Sequence, residues 1–240
     1  MNGGENVRVQ KDMKEPLGGE PEAKAARQDP VAAVVMALEE DIVLGRLHPR
    51  ERLIEEELSE RFSVSRHSLR LALAELDKMG LIERFPNRGA MVRAFSASDV
   101  EQLYAVRELL ESTAAAQIVF PVEETHINAL KTIQAQHDAA VDADDLVGVF
   151  RHNHEFHRKL FGLCRNHYLA SAIETYSQRA HGIRFLVLAD KAERNKARNE
   201  HHLMIAALER GDGDALVALC RQHLPASKMA YLRAFGKIVG

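Results

Sequence analysis

Three histidines and an amide stand on helix faces that are otherwise apolar. Phe150, Asn153, His157, Leu160, Phe161 and Cys164 recur at helical spacing, so Asn153 and His157 sit one turn apart within an apolar stripe. His201 leads Met204, Ile205 and Leu208 in the same way, and His223 continues Leu216, Leu219 and Cys220. Imidazoles and an amide oxygen facing inward from three helices are satisfied together by one divalent metal ion, Zn²⁺, Ni²⁺ or Mn²⁺, and bundles build such sites from facing helices. The plainer alternative is a set of core histidines, each hydrogen-bonded to a neighbour. Arg107 shares a stripe with Leu103, Leu110 and Ala114. Beside a metal its guanidinium suits a bidentate carboxylate, the alternative being a surface i,i+4 pair with Glu111.

A second constellation lies upstream. Ser65, Arg66, His67 and Arg70 fall at the start of a short helix whose Leu69, Leu73 and Leu76 face a core. Free backbone N–H groups at that end also favour a phosphate. From Arg66 to Arg93 there are six basic residues (Arg66, Arg70, Lys78, Arg84, Arg88, Arg93) against three acidic ones (Glu75, Asp77, Glu83). The whole chain carries a net charge of −3, so any signal for nucleic acid is local. A solvated charged face is the alternative, and capping, arginine placement and the basic hairpin that follows argue against it.

The elements that position these residues follow from caps and breakers. Asp29-Pro30 reads as an N-cap with proline at the first helical position, opening a helix that runs to Gly45. "LIEEELSERF" makes a second helix, and Ser65 caps a third that continues through Met79 to Gly80. "LIERF" and "AMVRAF", separated by "PNRG", read as a hairpin, which completes a winged helix-turn-helix. From Ser98 onward the pattern is helical, with segments to Pro121 and over about 123–141, 144–163, 167–190, 195–210 and 213–235. Residues 1–29, rich in Gly, Pro, Glu and Lys, read as a disordered arm without the apolar core of a signal peptide. No apolar run approaches the roughly 20 residues of a membrane span, and two cysteines inside helical patterns read as buried thiols. A cytoplasmic protein is expected.

The stretch "RLIEEELSERFSVSRHSLRLALAELDKMGLIERFPNRGAMV" resembles the DNA-binding domain of GntR-type bacterial transcription regulators. The resemblance implies that Arg66 and Arg70 contact an operator, with Ser65 and His67 beside them, and that Arg88-Gly89 is a wing tip reaching the minor groove. Departures at His67 and Ser68, where Thr-Pro is common, at Leu71, often Glu, and at Arg50, often Gly, keep the operator sequence from being carried over. The rest of the chain resembles the FCD ligand-binding domain of the FadR-like subfamily, through "RELLE" at 107–111, "NHEFHRKLF" at 153–161 and "EHHLMIAALERGDGDALVALCRQHL" at 200–224. By that resemblance the metal ligands are Asn153, His157, His201 and His223. The usual first ligand is Asp, and its replacement by Asn removes a negative charge from the set. His154 and His202 are adjacent alternatives, expected to be exposed or supporting.

The expectation is a mainly α protein: a disordered arm (1–29), a winged helix-turn-helix domain (30–95) and an all-α antiparallel helical bundle (96–240). Its function is that of a ligand-responsive repressor, a homodimer on an imperfect palindrome of double-stranded DNA, sensing a small organic acid through a bound divalent metal. It is not expected to be an enzyme. The rival reading is a metal-dependent hydrolase or isomerase fused to a DNA-binding head. Against it, the nearest acid in sequence, Glu155, lies off the inward stripe. A chromatin-type binder would show broader basic charge.

Overall fold

The computed structural model describes residue 1, residues 29–85 and residues 89–235. The arm expected over 1–29 and the wing-tip Arg88 therefore lie outside the described residues, save Met1 and Asp29.

Helix α1 (Pro30–Val43) starts where Asp29 accepts a hydrogen bond from the Val31 amide. It is followed by β1 (Arg52–Leu53), α2 (Glu55–Phe62), α3 (Arg66–Lys78), β2 (Ile82–Phe85) and β3 (Gly89–Val92). Ser65 caps α3 through the Ser68 amide. Strand β3 lies in the middle of an antiparallel sheet of order β1-β3-β2, with Leu53 opposite Ala90 and Phe85 opposite Gly89. The second helix was expected to begin at Leu53. Instead Arg52 and Leu53 are drawn into the sheet, a two-residue strand that only pairing with β3 defines. Arg50, which leads into it, holds a φ of 70°, the left-handed region in which glycine is at ease and other residues carry roughly 1–2 kcal/mol of strain.

The remainder is helical: α4 (Ala97–Ala116), α5 (Glu124–Asp142), α6 (Leu146–Gly162), α7 (His167–Arg179), a 3₁₀ turn at His181–Ile183, α8 (Phe185–Ala189), α9 (Lys191–Arg210), α10 (Gly213–His223) and α11 (Pro225–Phe235). A capping box between Ser96 and Asp99 opens α4 two residues before the expected start. Two expected helices are each broken in two. The segment 167–190 stops at Arg179 and turns through His181–Ile183, and 213–235 breaks where Pro225 begins α11 without an amide proton to continue the ladder. That second break leaves His223 as the last residue of α10.

Phe156, Leu160, Phe161, Met204, Leu208 and Leu216 form the middle of the largest core, with Cys164 and Cys220 buried beside them as free thiols. Burial pushes the Cys220 thiol up to about 12, consistent with the expected inert role. A separate core under the sheet joins Val34, Leu38 and Ile42 of α1 to Leu69, Leu73 and Leu76 of α3. Helix α1 serves both halves of the chain, because Val43 packs with Val141, Val149, Phe150 and Leu188. The Glu39 carboxylate meets His181 Nδ1 at 2.7 Å across the same junction, and Glu40 pairs with Arg151. Burial raises the Glu39 carboxyl to about 7. Among the described residues no helix is long and apolar enough to cross a membrane.

Candidate functional site

Helix α6 delivers His157, α9 delivers His201 and α10 delivers His223, and their ring nitrogens converge. His157 Nε2 lies 3.0 Å from His223 Nε2 and 3.2 Å from His201 Nε2. Nitrogens bound at about 2.0–2.1 Å to one ion stand about 2.8–3.4 Å apart for angles between 90° and tetrahedral, so the spacing fits a common metal. The tautomers fit as well. His201 Nδ1–H donates to Gln134 Oε1 at 2.9 Å, and the Gln134 amide donates in turn to Asp138 at 2.7 Å. His223 Nδ1–H donates to Glu200 Oε2 at 2.7 Å. Both rings thus aim an Nε2 lone pair at His157, whose own Nε2 has at most one proton to share between them. A cation resolves that conflict. His157 Nδ1 is buried without a partner.

Electrostatics point the same way. Burial first, then the neighbouring histidines, hold His157 and His201 well below the ordinary histidine range, so both are neutral at pH 7. Burial likewise pushes His137, which packs against His201, down to about 4.

Asn153, His223 and Arg107 line a cavity of about 70 Å³, together with His137, Arg184 and Glu200. Since a buried water needs about 10–15 Å³, that space holds roughly five of them, the size of a small acid rather than a long acyl chain. Arg107 points into the bundle, and the i,i+4 pair expected at the surface is made inside it. Its Nη2 pairs with Glu111 at 2.9 Å, one turn away, yet both side chains are buried, at 5% and 4% exposure. Burial works against its charge, but Glu111 and Tyr104 outweigh it and keep the guanidinium protonated.

Sequence reasoning missed Gln134, Glu200 and Arg184. Glu200 was within reach of inspection, one residue before His201; Gln134 and Arg184 gave no signal, since each meets the site only through distant chain. Of the two adjacent histidines, His154 is part-buried against Glu174 at 3.0 Å and His202 faces Asp138 at 2.9 Å. Neither joins the group of His157, His201 and His223.

In the other half of the chain Ser65, Arg66, His67 and Arg70 are all exposed along the first turns of α3. Arg70 Nε donates to Glu55 at 2.9 Å and Arg66 stands 3.5 Å from Glu56, exposed pairs worth about 0–1 kcal/mol that a phosphate can replace. Arg70 shares a groove with Arg52, Arg84 and Gly89. Gly89 has a φ of 81°, so the backbone itself requires glycine there.

A family model described as bacterial regulatory proteins, gntR family, matches residues 30–92, and the model of the FCD domain matches residues 102–226. The chain belongs to the GntR family, with an FCD domain. It is therefore a transcriptional regulator with a DNA-binding GntR head and an FCD ligand-binding domain. It is 27% identical to the HTH-type transcriptional repressor RspR of Escherichia coli over 187 residues, 78% of this chain and 82% of that one. It is 30% identical to the Nta operon transcriptional regulator of Aminobacter aminovorans over 162 residues, 67% and 74% of the two chains. The fold of this GntR regulator is shared by E. coli McbR/YncC, with a TM-score of 0.74 at 19% identity over 86% of this chain and 98% of that one. RspR and the Nta regulator are named as transcriptional regulators, which favours that reading over the hydrolase or isomerase.

Proposed function

We propose that this GntR regulator is a cytoplasmic repressor that grips an imperfect palindromic operator as a homodimer and releases it when a small organic acid enters the FCD domain. The convergence of three imidazole Nε2 atoms beside a cavity lined by Arg107 is the observation that carries the reading. His157, His201 and His223 would hold a divalent ion, with the Asn153 side-chain oxygen as a further ligand, and the ion would offer a Lewis-acidic point to a carboxylate. Arg107 supplies donors for the same carboxylate. Glu200, the acid beside the histidines, is engaged by His223 and Lys196. That engagement leaves it poorly placed to act as a general base, which supports a sensor rather than an enzyme.

On the DNA side, Ser65, Arg66, His67 and Arg70 lie where a recognition helix meets base edges and phosphates, with Gly89 at the base of the wing. The repressor sign follows RspR, the E. coli relative that is named a repressor. Coupling has a physical route. The 3₁₀ turn next to the cavity carries His181, which is bonded to Glu39 of α1, the helix that also packs under α3.

Thermal-shift screening of small carboxylates against metal-loaded protein tests the sensor half. Binding acids should raise the melting temperature of wild type and lose that effect in His223→Ala and Arg107→Ala. Acids that stabilise both variants as well as wild type would place the pocket elsewhere.

A further inference from the structure

Among the described residues Arg184 makes no ion pair, although Glu111 and Glu174 lie near enough to favour its charge. It follows the 3₁₀ turn and lines the cavity with Arg107 and His223. Among the described residues no carboxylate lies within salt-bridge distance of it, and its Nη2 donates only a long hydrogen bond of 3.4 Å to Ser177 Oγ. The other charged lining groups are mostly accounted for. Arg107 is paired with Glu111, Arg194 with Asp144 and the Leu188 carbonyl, and Lys196 and His223 share Glu200. Glu193 Oε2 and Arg194 Nε are buried without a partner, but Glu193 stands beyond ion-pair distance of Arg184 and suits a hydroxyl donor on a ligand. Burial, then the positive charge of Arg107, push Arg184 down to about 10, so it remains charged at neutral pH beside another guanidinium. A guanidinium has five donors in a planar fork, and Arg184, half-buried at the cavity wall, uses one of them on Ser177, which leaves the rest for a ligand.

We propose that the effector carries two acidic groups: one taken by the histidine cluster and Arg107, the second by the free fork of Arg184. This rests on the acid-sensing reading above and narrows it from organic acids to short diacids. The cavity, at about 70 Å³, suits a short acid rather than a long acyl chain. One carboxylate would already be matched by Arg107 and a bound cation; only a second anion offsets Arg184.

Isothermal titration of the metal-loaded full chain with succinate and glutarate, against propionate and butyrate, tests this. Wild type should bind the diacids about ten-fold or more tighter, the scale of one charge-assisted hydrogen-bonded pair. Arg184→Gln should shrink that preference to less than about two-fold, Arg184→Lys should keep part of it, and His223→Ala should lose both classes. Monoacids that bind wild type as tightly as diacids, yet are lost in His223→Ala, would overturn the second subsite and leave the acid sensor standing. Wild type that binds neither class would overturn both. The wild-type comparison decides the matter even if a variant folds poorly.

Discussion

Stripping the metal from the loaded protein is expected to lower its melting temperature by about 5–10 °C. An ion present at a hundred times its Kd stabilises the folded state by about 2.7 kcal/mol, and a domain assembly of this size gains about 2–4 °C per kcal/mol. His201→Ala should abolish stoichiometric binding, because it removes the proposed ligand that Gln134 orients. The stripped protein should also be acid-sensitive. His157 and His201 titrate well below the unfolded value of about 6.5 because they are buried, so below that pH the unfolded chain takes up protons that the native chain refuses. Their contribution is therefore present above about pH 6.5 and is lost as the pH falls. Elemental analysis that finds no stoichiometric ion, with a chelator leaving the melting curve unmoved, would return the cluster to three core histidines.

Operator binding should fail almost as sharply at the other end of the chain. Arg66→Ala or Arg70→Ala is expected to cost roughly 1–3 kcal/mol where the side chain reads a base edge, or to flatten the salt dependence by about one unit where it holds a phosphate. Neither change should disturb folding, since both side chains are exposed, at 72% and 62%, and their pairs with Glu56 and Glu55 are weak. Filter binding across a salt series separates the two roles. Unchanged affinity and slope in both variants would sink the assignment of α3 as the reading helix.

What could be read in the chain beforehand tracks the range of the interactions involved. Asp29 and Ser65 announce helix starts because a cap is a contact over two or three residues. The histidine cluster was visible because each ring interrupts an apolar stripe of its own helix, which periodicity alone exposes. Strand β1 was not visible: two residues carry no period, and only pairing of Leu53 with Ala90 makes them a strand. The break after Arg179 was hidden because apolar spacing continues across Gly182, which lies buried near Phe95 and Ile42, far away in sequence. Gln134 and Glu39 gave no hint of their roles, since their partners lie 67 and 142 residues away. Arg50 is a mixed case. Its departure from the usual glycine was noted in sequence, and the structure supplies the reason glycine is common there, a φ of 70°.

All of these features bear on one claim, that an acid bound in the FCD domain weakens the grip of the head on DNA. An acid that binds the DNA-free and DNA-bound forms equally shifts nothing, so the claim requires differential affinity. The direct measurement is titration of a binding carboxylate into the metal-loaded protein–operator complex, read by fluorescence anisotropy of the DNA. Operator affinity should fall by roughly 5–150-fold in wild type, the range of ordinary coupling, and should not change in His223→Ala. An acid that binds the wild-type protein yet leaves operator affinity untouched, or that releases the His223→Ala complex equally well, would contradict the account.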